Sequence, residues 1–99
     1  MRGLPWTVLA PGLREKACVS EEHRFRLLEF LEPFQELDWC VRAHAGYMLE
    51  GQIVINVNGK LVTYRQGDVI DLPHGVRHRH DSTVETATLF LVESVNESE

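Results

Sequence analysis

The chain has no apolar run near the ~20 residues that a bilayer span requires, so no membrane span is expected. Its opening, MRGLPWTVLAPG, places Pro5 and Trp6 where a secretory leader would need a continuous apolar stretch, which points to a cytoplasmic protein. It has no basic stripe. The net charge is −5, and the largest positive cluster is Arg77-His78-Arg79. Proteins that grip nucleic acid need many more cations in register with the phosphates, so no such partner is expected. Only two cysteines are present, Cys18 and Cys40, without CxxC spacing, and both are expected as reduced thiols rather than a disulfide. Internal repeats and low-complexity linkers are also missing, and one domain over residues 1–99 is expected.

What is present is a sufficient core and a dense set of strand signals. Hydrophobic residues make up 43% of the chain. A domain of this length buries roughly 60–70% of its unfolded surface, enough for one core without staples. GQIVINV (51–57) and KLVTY (60–64) are β-branched and aromatic runs flanking Asn58-Gly59. That dipeptide tolerates positive φ at both positions and signals a two-residue hairpin. VIDL (69–72), VRHRH (76–80) and ETATLFLVE (85–93) read as further strands, separated by Gly- and Pro-containing turns. EEHRFRLLEFLE (21–32) fits a helix capped by Ser20 or a strand ending before Pro33, and the need of a continuous sheet for edge partners favours the strand. LDWCVRAH (37–44) reads as extended, and the tail 94–99 as frayed. Turn signals spaced about 8–12 residues apart indicate an antiparallel sandwich or barrel.

Three of the five histidines, His74, His78 and His80, fall in GDVIDLPHGVRHRHDS (67–82). The spacing Gly67-x5-Pro73-x4-His78 resembles the second motif of the cupin superfamily, G-x5-P-x4-H-x3-N, with Ser82 in place of the asparagine. Upstream, residues 38–51 are similar to the first motif, G-x5-H-x-H-x3,4-E-x6-G. Gly51 stands for the last glycine, His44 for the glutamate, and Asp38 and Cys40 for the histidine pair. The resemblance implies an all-β fold, a double-stranded β-helix or jelly-roll-like antiparallel barrel. It also implies a mouth that receives a small molecule, and a homodimer to which residues 1–20 contribute strands.

In cupins that hold a metal, these positions carry three histidines and a glutamate; the set implied here is Asp38, Cys40, His44 and His78. Asp38, Cys40 and His44 share strand parity, so an uninterrupted strand would turn all three inward, facing His78. Carboxylate, thiolate and imidazole suit Zn²⁺, with Fe, Mn or Ni as other divalent occupants. His80, Arg42, Met48 and Tyr47 are the expected lining of a ligand pocket, with Arg42 either an inward carboxylate anchor or a solvated surface arginine. His44 as a base for a Cys40 nucleophile is disfavoured, because a strand separates such positions by ~13 Å. With only His78 keeping the family's residue, the preferred expectation is a small-molecule-binding barrel, metal-free or weakly metal-binding. The alternative is a mononuclear metal enzyme, oxygenase or isomerase in type, acting on a small polar or carboxylated substrate.

Overall fold

The computed structural model describes residues 1–95, so the tail residues 96–99 lie outside the described part. Seven strands follow one another along the chain: β1 Thr7–Ala10, β2 Leu13–Val19, β3 His23–Leu31, β4 His44–Val57, β5 Lys60–Arg65, β6 Val69–Leu72 and β7 His78–Ser94. Every pairing is antiparallel, in the order β1-β2-β3-β7-β4-β5, with β6 also pairing β4. Segment 21–32 therefore resolves as strand, and the fold is the expected all-β jelly-roll barrel. Among the described residues there is no helix long and apolar enough to cross a membrane.

The Asn58-Gly59 hairpin forms as its chemistry requires. Both residues have positive φ, 51° and 94°, and Gly59 N–H donates to Asn56 Oδ1 at 2.9 Å. The two readings 76–80 and 85–93 merge into the single long strand β7, which is broken in register rather than interrupted. Opposite β4, His80 pairs with Ile55 and Ser82 with Val54, so Asp81 is an extra residue. A bulge of this kind exchanges the two faces of a strand. Before it, even-numbered His78 and His80 point inward; beyond it, odd-numbered Ala87, Leu89, Leu91 and Glu93 do.

Strand β4 makes the matching exchange around Gly51, whose φ is +77°. Met48 is buried before it, and Ile53 and Ile55 after it. A side chain at Gly51 would also meet the backbone of Thr86 and Ala87. The paired irregularities let two long strands keep an apolar face inward while bending around the barrel. The core is built from Leu28, Phe30, Phe34, Met48, Ile53, Ile55, Ile70, Leu72, Ala87, Leu89 and Leu91.

Candidate metal centre and ligand cavity

Segment 37–43 is not the strand its sequence suggests. It joins the sheet by a single β-bridge, between Cys40 and His78. Cys40 N–H donates to His78 O at 2.8 Å, and His78 N–H returns a bond to Cys40 O at 2.9 Å. Trp39 is clamped by the neighbours of His78: the Arg77 guanidinium lies 4.1 Å and that of Arg79 4.5 Å from its ring centroid. Arg79 also donates to Leu37 O at 3.2 Å. The segment thus runs across the start of β7 and carries the Cys40 thiol to within 4.0 Å of His44 Nε2. The strand-based separation of Cys40 and His44 is overturned, because the chain folds back between them.

Cys40, His44 and His78 each offer one donor atom, and the three atoms lie within 4.8 Å of one another. The imidazoles meet edge to face with centroids 4.9 Å apart. The tautomers follow from the other ring nitrogens. His78 Nδ1 lies 3.1 Å from Val76 O, which can only accept, so Nδ1 carries the hydrogen. Its Nε2 is left with a bare lone pair, buried and without a hydrogen-bond partner. His44 Nδ1 donates to Glu93 Oε2 at 2.8 Å, which leaves its Nε2 directed at the thiol. Two fixed imidazoles with free Nε2 lone pairs beside a thiol form a donor set suited to a borderline-soft cation.

The electrostatics act on His78 and on Glu93. Burial pushes His78 below the ordinary imidazole value; its bond to the Val76 carbonyl works the other way, and the neighbouring His44 adds to the lowering. For Glu93, burial alone would raise the carboxyl, but the hydrogen bond from His44 and the Arg26 guanidinium outweigh it and hold the group down at about 2. Arg26 Nη1 lies 3.2 Å from Glu93 Oε2, and its Nε donates to buried Glu15 at 2.7 Å. Arg24 reaches Glu15 from outside at 3.4 Å. A chain of alternating charges therefore runs through the barrel wall and ends on His44.

A cavity of about 110 Å³ opens beside this centre. His44, His78, His80, Arg26 and Glu36 are its polar lining, among aliphatic and phenyl side chains. His80 is buried, stacked flat on Phe30 at 4.6 Å and 2°, with Phe34 at 5.1 Å. Its Nε2 is 2.8 Å from Thr83 Oγ1 and its backbone N–H donates to Glu36 at 2.9 Å. Burial drives the His80 imidazole down to about 4.

Of the sequence-derived ligands, Cys40, His44 and His78 come together, whereas Asp38 is exposed and outside the group. Its strand parity has no force in a segment that is not a strand. Of the expected pocket lining, only His80 lines the cavity. Met48 is fully buried core, and Tyr47, its strand neighbour, faces out at 45% exposure. Arg42 is half-buried and stands outside the lining of this cavity. Glu93, Arg26, Glu15 and Phe34 were not singled out from sequence. Glu93 carried a signal all the same, being a charged residue in phase with Ala87, Leu89 and Leu91.

The family model of the cupin domain matches residues 41–93, which hold all of β4 to β6 and most of β7. The chain belongs to the cupin family. No curated protein sequence matches this cupin. In structure it is similar to KdgF from Halomonas sp., with a TM-score of 0.81 and 15% identity over 95% of this chain and 88% of that one. It also resembles an RmlC-like cupin from Shewanella frigidimarina, with a TM-score of 0.79 and 18% identity over 93% and 84%. Against a salicylate 1,2-dioxygenase from Pseudaminobacter salicylatoxidans the TM-score is 0.76 at 18% identity, covering 89% of this cupin and 27% of the dioxygenase.

Proposed function

We propose that this cupin is a small-molecule-binding barrel that holds one divalent metal ion, Zn²⁺ before Fe²⁺, Mn²⁺ or Ni²⁺, on Cys40, His44 and His78. The observation that carries the reading is the convergence of three donor atoms within 4.8 Å, including a buried His78 Nε2 with no partner. A buried lone pair left unmatched is destabilising by about 1–3 kcal/mol, and a cation removes that penalty. The thiolate favours a borderline-soft ion over Mn²⁺. Three protein ligands leave a tetrahedral ion one open position, which is the arrangement of sites that act on a bound molecule. When bound, such an ion supplies a Lewis acid at the cavity wall. Glu93 holds the His44 tautomer and the Val76 carbonyl holds that of His78.

The test is metal content by mass spectrometry on untagged protein. About one ion per chain is expected in the wild type, with loss in Cys40→Ser and His44→Ala. Stoichiometric metal in the double variant lacking His44 and His78 would refute the site.

A second reading rests on one further geometry. Without metal, Cys40, His44 and Glu93 stand in line as thiol, base and orienting carboxylate at 4.0 and 2.8 Å. Alkylation separates the two readings. Iodoacetamide would modify Cys40 faster than exposed Cys18 under the thiol reading, and Zn²⁺ would protect Cys40 under the metal reading.

The assembly we propose is a homodimer joined through residues 1–20. Strand β1 is an edge of the sheet, and Val8 and Val19 are 74% and 67% exposed.

A further inference from the structure

We infer that the outer face of the sheet β2-β3-β7-β4-β6 is where a second copy of this chain packs, about a two-fold axis parallel to the strands. This rests on the homodimer read above and names its interface; it does not depend on the metal.

The strand registers build the face. Lys16, Leu27, Phe90, Tyr47 and Val69 lie side by side across the five strands, and Cys18, Phe25, Val92, Ala45 and Asp71 form the next row. Their chain neighbours Leu28, Met48, Ile70, Leu89 and Leu91 are core, so strand alternation turns both rows outward. Nothing in either row is charged except Lys16 at the β2 end and Asp71 at the β6 end. Tyr47 and Val69 are 45% and 68% exposed, and Phe25 stacks on Phe90 from one row to the other at 6.4 Å. A third outward row, Val8, Arg14, Glu29, Thr88 and Glu50, borders the apolar two with polar groups. By strand spacing the three rows cover about 500 Å² of one copy and about 1,000 Å² of a pair, the threshold of a specific interface. Contiguous apolar patches of a few hundred Å² mark interaction surfaces.

The charges say what covers this one. Arg14 and Lys16 stand on β2, each over the Trp6 ring, at 4.2 and 5.0 Å from its centroid. Glu50 and Asp71 stand on β4 and β6, towards the other end. A face with cations at one end and carboxylates at the other is complementary to itself. A two-fold parallel to the strands reverses the cross-strand direction, and so brings Lys16 of each copy to Glu50 and Asp71 of the other. A two-fold running across the strands would set Lys16 against Lys16, which like-charge repulsion disfavours. Stacked sheets keep their strands within about 30° of each other, which the favoured axis allows. That axis also carries β1, the free edge beside β2, to the β6 end of the other copy, so residues 1–20 enter the contact.

The experiment is carbodiimide crosslinking of the full chain, with the band of dimer mass mapped by peptide mass spectrometry, beside sedimentation equilibrium. Within one chain Lys16 and Asp71 are separated by β3, β7 and β4, about 19 Å by strand spacing, too far for a zero-length link, so a Lys16–Asp71 link reports on two copies. That link is expected in the dimer band. Tyr47→Asp, in the middle of the face, is expected to return the monomer mass with its circular dichroism unchanged. K16E and D71K are each expected to raise the dimer Kd about tenfold, and the double variant K16E/D71K to recover most of the loss. A dimer without the link, a dimer untouched by Tyr47→Asp, or a double variant no tighter than either single would overturn this interface and leave a dimer through the β1 edge standing. If Tyr47→Asp does not fold, the link and the charge-reversal series decide. A wild type of single-chain mass would overturn both the interface and the dimer, and leave the face to a different partner.

Discussion

At the scale of single residues, the site works through atoms that sit one bond behind the donors. Glu93 touches no ligand position, yet it fixes which nitrogen of His44 is free. Glu93→Gln preserves the shape and removes the charge. Its Zn²⁺ affinity, measured by competition with a chromophoric chelator, is expected to fall by about 10–100-fold, the usual effect of losing such a partner. His80 gives a pH prediction. Its folded value, about 4, lies below the ordinary 6.5, so the native state binds fewer protons than the unfolded chain between those values. The stability tied to neutral His80 is therefore complete above about pH 6.5 and is lost as the pH falls towards 4. Urea unfolding at pH 7 and pH 5 should show a larger drop in midpoint for metal-free wild type than for metal-free His80→Leu. Equal drops would show that His80 is not held neutral by the fold.

At the scale of elements, the segment before β4 decides the centre. Cys40 belongs to no strand and is held by two backbone bonds to His78 and by Trp39 between two guanidinium groups. Trp39→Ala removes the clamp and leaves every donor in the sequence. Co²⁺-loaded protein should then lose most of its thiolate-to-metal charge-transfer absorption while both histidines remain bound, and Trp39→Phe should restore part of it. Unchanged absorption in the alanine variant would show that the backbone bridge alone sets the thiol.

The same segment explains what could be read from sequence. The Asn58-Gly59 hairpin, VIDL between its turns and the Gly67, Pro73, His78 spacing were legible, because each depends on local chemistry: positive φ, a ladder donor missing at proline, a fixed strand length. Parity reasoning placed Asp38 wrongly. It presumes an unbroken strand, and this chain departs from that over 37–43, near Gly51 and at Asp81. The chain of Glu15, Arg26 and Glu93 was hidden for another reason. It joins β2, β3 and β7, whose closeness is set by topology rather than by spacing.

At the scale of the whole molecule, the sheet ends in β1 on one side and β5 on the other, and unpaired edges of this kind invite pairing with another chain. Homodimerisation through residues 1–20 predicts twice the chain mass by light scattering. Replacing the exposed Val8 by lysine is expected to return the monomer mass while the cavity and centre are retained. A wild-type mass equal to the sequence mass would refute the dimer.

The bridge between Cys40 and His78 also has a bearing on how the barrel is held shut. His44 and His78 stand at opposite ends of a long stretch that contains nearly all of β4 and the whole of β5 and β6. An ion shared by the two imidazoles would tie that stretch into a closed ring, as a covalent crosslink does, and a crosslink acts mainly by narrowing what the unfolded chain can do. Oxidation of the one thiol would take a ligand from that ion and loosen the link between the imidazoles. In this cupin the redox state of one side chain, Cys40, would then set how tightly the mouth of the barrel is stapled, and with it the lifetime of whatever lies inside.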